Sequence, residues 1–110
     1  MQSLQKEIIK TFFQTLEDIK SKKDFEIFFS DFLTSQELET FSKRLAVAYW
    51  LKKGRDCENI KNNLKVSTKT VTEVKKIMDT PGIKLALKKM EAEEWANIWS
   101  ERVKKLASRH

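Results

Sequence analysis

Only three positions in this chain carry a residue that interrupts a helix outright: Gly54, Gly82 and Pro81. Glycine frees the backbone and proline removes a hydrogen-bond donor, so the two are the strongest local punctuation a polypeptide has. With so few of them in 110 residues, long helices are expected. No stretch alternates apolar and polar residues with the period of two that a half-buried strand requires. The predicted class is all-α, with about six helices.

Apolar spacing and capping residues place those helices. Leu4, Ile8, Ile9, Phe12, Phe13, Leu16 and Ile19 recur at helical intervals, which predicts a first helix ending in the polar run Lys20-Ser21-Lys22-Lys23. Asp24 is then expected to cap a short second helix carrying Phe25, Ile27, Phe28, Phe29 and Phe32. Thr34-Ser35-Gln36-Glu37 has the form of a capping box, in which hydroxyl and carboxylate each satisfy a backbone N–H left orphaned at a helix start. The third helix should run to Lys53 and stop at Gly54; Leu38, Phe41, Leu45, Val47, Ala48, Tyr49, Trp50 and Leu51 cover its circumference, which predicts a central pillar buried on several sides. Short helices at 56–64 and 67–79 follow, capped by Asp56 and Ser67. Thr80-Pro81 opens a last helix whose apolar residues Ile83, Leu85, Leu87, Met90, Trp95, Ile98, Trp99, Val103 and Leu106 carry it for roughly 40 Å at 1.5 Å per residue.

Charge narrows the partners. The net charge of +6 is concentrated in residues 52–76, which hold eight basic and three acidic groups. That favours an anionic partner. One cysteine, Cys57, forms no internal disulfide, and a single histidine, His110, leaves no ligand set for a structural zinc. No apolar run nears the roughly 20 residues needed to span a bilayer, and the N-terminus has no secretory h-region. A soluble, unprocessed protein of the reducing cytoplasm is expected, in one domain over 1–110: N-terminal helices and dimer core at 1–53, the two-helix unit at 54–79 and the long last helix at 80–110. No hydroxyl or thiol has a general base beside it, no paired carboxylates or phosphate loop are present, and no enzymatic constellation assembles.

The basic segment is also the one with a recognisable shape. Two short helices joined by a tight turn, the second rich in hydroxyls and ammonium groups, have the residue distribution of a helix-turn-helix that lays its second helix in a DNA groove. Ile60, Leu64, Val66, Val71 and Val74 have the spacing to fill the corner between them. Ser67, Thr68, Lys69, Thr70, Thr72, Glu73, Lys75 and Lys76, with Lys65 in the turn and Arg55 upstream, are then the candidate DNA-binding residues. Hydroxyls reach phosphates or base edges, and lysines add salt-sensitive attraction to the backbone. Lys52, Lys53 and Lys61 are candidates for flanking phosphates. Glu73 either accepts from a cytosine amino group or pairs with Lys69 or Lys76, and the pairing is the favoured reading. Lys65 stands where such a turn usually has glycine, at a cost on the order of 1 kcal/mol.

Phe32-Leu33-Thr34, Glu37-Leu38-Glu39, Lys43-Arg44-Leu45-Ala46-Val47-Ala48, Leu51-Lys52-Lys53-Gly54 and above all Val66-Ser67-Thr68-Lys69-Thr70-Val71-Thr72 resemble the Trp repressor superfamily, in particular its TrpR-like branch known as YerC/YecD. The resemblance implies an intertwined all-helical homodimer whose paired two-helix units bind successive major grooves of double-stranded DNA, as a transcriptional regulator of repressor type. It also implies a tryptophan pocket, of which Leu33, Thr34 and Arg44 keep matching positions. The second arginine of that pocket is replaced by Glu73, the small residue after it by Val74, and its serine by Ile77. Tryptophan should therefore not be held, no cofactor is expected, and any effector is of another kind.

Blander readings stand beside these. The lysines of 52–76 are, on composition alone, a solvated charged face. Arg44 has three open roles: a remnant ligand contact, an ion pair with a carboxylate such as Asp31, or a phosphate contact. The tryptophans and phenylalanines read as core or dimer interface, not as a stacking platform for bases. The alternative function is a helical protein-interaction module with a degenerate helix-turn-helix, weakened by Glu58, Lys65 and Glu73 and working through its last helix.

Overall fold

The computed structural model of the chain describes the backbone of residues 2–108 and the side chains of residues 3–94 and 105. Among the described residues there are six helices and no strand: α1 (Gln2–Asp18), α2 (Lys22–Phe32), α3 (Ser35–Lys52), α4 (Cys57–Leu64), α5 (Thr68–Ile77) and α6 (Pro81–Ser108). The chain divides into two compact units, Met1–Thr40 and Phe41–His110, with the boundary inside α3.

In the first unit α1 and α2 are separated by a short break. The second helix is capped by Ser21, whose hydroxyl accepts from the Asp24 N–H at 3.0 Å, and not by Asp24 as the sequence suggested. Asp24 lies inside the first turn, where a carboxylate still favours the positive end of the helix dipole. Phe12 of α1 meets Phe32 of α2 with ring centroids 6.1 Å apart, and Phe28 stacks on Phe32 at 5.0 Å. The capping box at the start of α3 forms as expected: Thr34 Oγ1 accepts from the Glu37 N–H at 3.0 Å, and Glu37 Oε1 accepts from the Thr34 N–H at 2.9 Å.

The second unit is built on one small core. Val47 and Ala48 of α3, Ile60 of α4, Val71 and Val74 of α5, and Leu87 of α6 are all buried, with Tyr49, Trp50, Leu51, Leu64, Val66, Ile83 and Met90 packed around them. Four helices thus share one apolar knot, and each contributes the residues that helical spacing brings to a single face. The central helix departs from expectation. Only Val47 and Ala48 of α3 are buried, while Leu38, Phe41 and Leu45 remain exposed in the single chain. Its apolar residues encircle the helix, and one unit covers only one side of it. Gly54 stops α3 in the left-handed region at φ +86°, one residue after Lys53. α5 ends two residues earlier than its apolar pattern suggests, and Thr80 Oγ1 turns back to donate to the Ile77 carbonyl at 2.6 Å before Pro81 opens α6. The side chains of Trp95, Ile98, Trp99, Val103 and Leu106, expected as the apolar face of the distal part of α6, lie outside the described residues.

Candidate nucleic-acid interface

The two-helix unit is set by local hydrogen bonds at both of its starts. Asp56 caps α4 by accepting from the Asn59 N–H at 2.8 Å, and Ser67 caps α5 by accepting from the Thr70 N–H at 3.1 Å. Between them Lys65 adopts φ 56° and ψ 53°, the left-handed conformation that the sequence placed at this turn. Its N–H and that of Val66 both return to the Lys61 carbonyl, closing α4. The Lys65 carbonyl is in turn approached by Lys43 Nζ from α3 at 3.5 Å, a brace that sequence spacing gave no hint of. The corner fills as predicted, with Ile60, Val71 and Val74 buried and Leu64 and Val66 half-buried.

Burying Val71 and Val74 fixes which side of α5 faces outward, because residues three and four apart share a face. Thr68, Lys69, Thr72, Glu73, Lys75 and Lys76 are all exposed, and so are Lys65 and Ser67. The open surface therefore carries Lys65, Lys69 and the hydroxyls of Thr68 and Thr72 near the capped start of the helix, with Lys75 and Lys76 in its last turn. Thr70 is placed otherwise: it is half-buried, its Oγ1 lies 3.1 Å from Ser67 Oγ, and it braces the cap. Glu73 forms neither of the expected pairs with Lys69 or Lys76, so its carboxylate is open to solvent.

The flanking cations are engaged within the chain. The Arg55 guanidinium stacks on the Trp50 ring at 3.9 Å and donates to Asn59 Oδ1 at 3.2 Å. Lys61 pairs with Glu58 at 3.3 Å along α4. Lys52 Nζ lies 3.7 Å from Glu91 Oε1, and Lys53 Nζ lies 3.2 Å from Glu94 Oε2, which ties the end of α3 to α6. Residues so far apart in sequence carry no local signal of their pairing.

The remnants of the ligand pocket fall in different units. Leu33 is half-buried, and the Thr34 hydroxyl is taken up by the capping box. Arg44 lines a cavity of about 260 Å³ in the second unit with Phe41, Leu45, Ala48, Val74, Ile77 and Ile83. Val74 and Ile77, two of the three substitutions noted in the sequence, form part of its wall, and Glu73 does not. Apart from Arg44 every lining residue is apolar, so the cavity offers nothing to an α-amino group.

No described helix is long and apolar enough to cross a membrane, and no described cluster of side chains has the makings of a metal site. No curated protein and no solved structure matches the chain. The sequence model of one family, described as Trp repressor protein, matches residues 7–91, which takes in the whole two-helix unit and most of the chain. Outward lysines and hydroxyls on a capped second helix, an apolar elbow behind them and that match agree: the chain belongs to the Trp repressor family, a family of DNA-binding helix-turn-helix regulators.

Proposed function

We propose that this protein is a sequence-specific regulator of transcription, of repressor type, that reads double-stranded DNA with α5 and does not use tryptophan as co-repressor. The observation that carries the reading is the division of α5 into two faces, with Val71 and Val74 buried and Thr68, Lys69, Thr72, Lys75 and Lys76 exposed. In this reading Ser67, Thr68, Lys69 and Thr72 meet phosphates and base edges near the helix start, Lys65, Lys75 and Lys76 supply backbone attraction, and Thr70 acts through Ser67. Glu73, which has no cation to neutralise it, is the candidate acceptor for a cytosine amino group. Arg55 reaches a phosphate only by leaving the Trp50 ring.

The working form in this proposal is an intertwined homodimer, with residues 1–53 as its core and 1–110 as one domain, acting in the cytoplasm. Leu4, Ile8 and Phe13 of α1 are more than half exposed, as are Ile27 and Phe32 of α2, and so many large apolar side chains left in water by a single chain call for a partner. The segment from Val66 to Thr72 supports placement in the YerC/YecD branch. Selection from random duplexes tests the reading: a single enriched motif is expected, with binding that weakens steeply with salt and is lost in Lys69→Ala or Thr72→Ala while the fold is kept. Absence of any enriched motif, with both variants behaving as the parent, overturns it. A second reading, a protein-interaction module with a degenerate helix-turn-helix, draws on α6 running to Ser108, well past residue 91 where the family match ends. It predicts the absence of that motif.

A further inference from the structure

The cations at the end of α3 and the carboxylates of α6 form an arrangement that the DNA-binding reading leaves unused. Lys52 and Lys53 stand directly before the Gly54 turn that leads into α4, and the first helix of a helix-turn-helix is the one that crosses the phosphate backbone. Both ammonium groups belong to the most basic segment of the chain. Each is met by a carboxylate: Glu91 faces Lys52 at 3.7 Å, and Glu94, one helical turn further along the same side of α6, faces Lys53 at 3.2 Å. Lys53 Nζ also sits 5.2 Å from the centre of the Tyr49 ring. The four side chains are between 38% and 48% exposed, so the pairs are neither buried nor free. Pairs of that exposure are weak and are screened by salt. A phosphate that takes a lysine from such a pair leaves behind a carboxylate that water can still reach.

We propose that Glu91 and Glu94 are internal competitors of DNA for Lys52 and Lys53, so that duplex binding requires exchange of two carboxylates for two phosphates. The proposal rests on the DNA-binding reading. In this arrangement the acidic side of α6 lowers non-specific affinity, because two cations that would otherwise release counterions from any duplex are already neutralised. The penalty is the same on every duplex, so it sets the level of affinity and its dependence on salt, while the choice among sequences stays with the base contacts of α5. Glu94 lies beyond residue 91, where the family match ends, so half of the device belongs to the part of α6 outside that match.

A charge-swap cycle on the full chain tests this, with fluorescence anisotropy on a random-sequence duplex. Glu91→Gln with Glu94→Gln should tighten binding about tenfold and steepen the dependence of log K on log salt by about 1 to 2 per chain. In a background of Lys52→Gln with Lys53→Gln the same two changes should alter affinity less than about twofold, because the contested cations are gone. Equal tightening in both backgrounds shows a general loss of negative charge and overturns the proposal, as does no tightening in either. If neither parent nor variant binds any duplex, the DNA-binding reading falls and this one with it. Should the double variant unfold, the cycle of Glu94→Gln against Lys53→Gln, both on exposed positions, reads the same competition at one pair.

Discussion

Ser67 joins structure and recognition in one atom, and a pair of substitutions separates the two. Its hydroxyl accepts from the Thr70 N–H at 3.1 Å and touches the Thr70 hydroxyl at 3.1 Å, at the end of α5 proposed to approach DNA. Ser67→Ala removes the cap, which costs about 1 kcal/mol and should lower the melting temperature by about 4 °C. Ser67→Asp keeps the cap and adds a charge of the sign the helix dipole favours at this end, worth about 0.5 kcal/mol, so the fold should equal or exceed the parent in stability. Binding should move the opposite way. A carboxylate about 5 Å from a phosphate oxygen in water is repelled by roughly 0.8 kcal/mol. Two chains on one duplex then lose about 1.7 kcal/mol, a fifteen- to twentyfold rise in Kd. Thermal denaturation followed by circular dichroism and anisotropy on the selected duplex give the two numbers on the same samples. A Ser67→Asp protein that is stable and binds as tightly as the parent would refute the placement of this helix start against phosphate.

Two further outcomes follow from the core and the cavity. Ile60 is fully buried at the centre of the second unit, so Ile60→Ala should cost about 3 kcal/mol in urea denaturation; a loss under about 1 kcal/mol would mean that the elbow is not closed as described. Calorimetry with L-tryptophan should show no binding at micromolar concentrations, since Arg44 alone is polar in the cavity wall and Val74 and Ile77 occupy it; saturable heat in that range would contradict this reading of the wall.

What could be read from the residues was whatever depends on near neighbours. The caps at Asp56 and Ser67, the box at Thr34 and Glu37, the left-handed stop at Gly54 and the valines of the corner all follow from spacings of three or four residues, and helical geometry leaves little choice at that range. Ser21 and Asp24 show where such reading blurs. Both are good capping residues, three apart, and the hydroxyl took the cap while the carboxylate took the first turn. Thr70 belongs with the outward hydroxyls by residue type, yet its position falls between the two faces of α5 and its hydroxyl lies against that of Ser67. The cation site was harder still. Whether Lys52 or Arg55 faces solvent, a carboxylate or an indole depends on which helix packs across the end of α3, which no local pattern encodes. The exposure of Phe41 and Leu45 was illegible for a related reason, since composition counts apolar residues without saying which chain covers them.

The shared core of α3, α4, α5 and α6 makes the elbow a lever and not a hinge. Val47, Ile60, Val71 and Leu87 come from four different helices and interlock, and α5 cannot tilt against α4 without opening a void among them. A force applied to α3 or α6 therefore re-aims the whole reading head without reshaping it. Control exerted on such a piece changes where its tip arrives, while the set of groups it offers to a base pair stays the same.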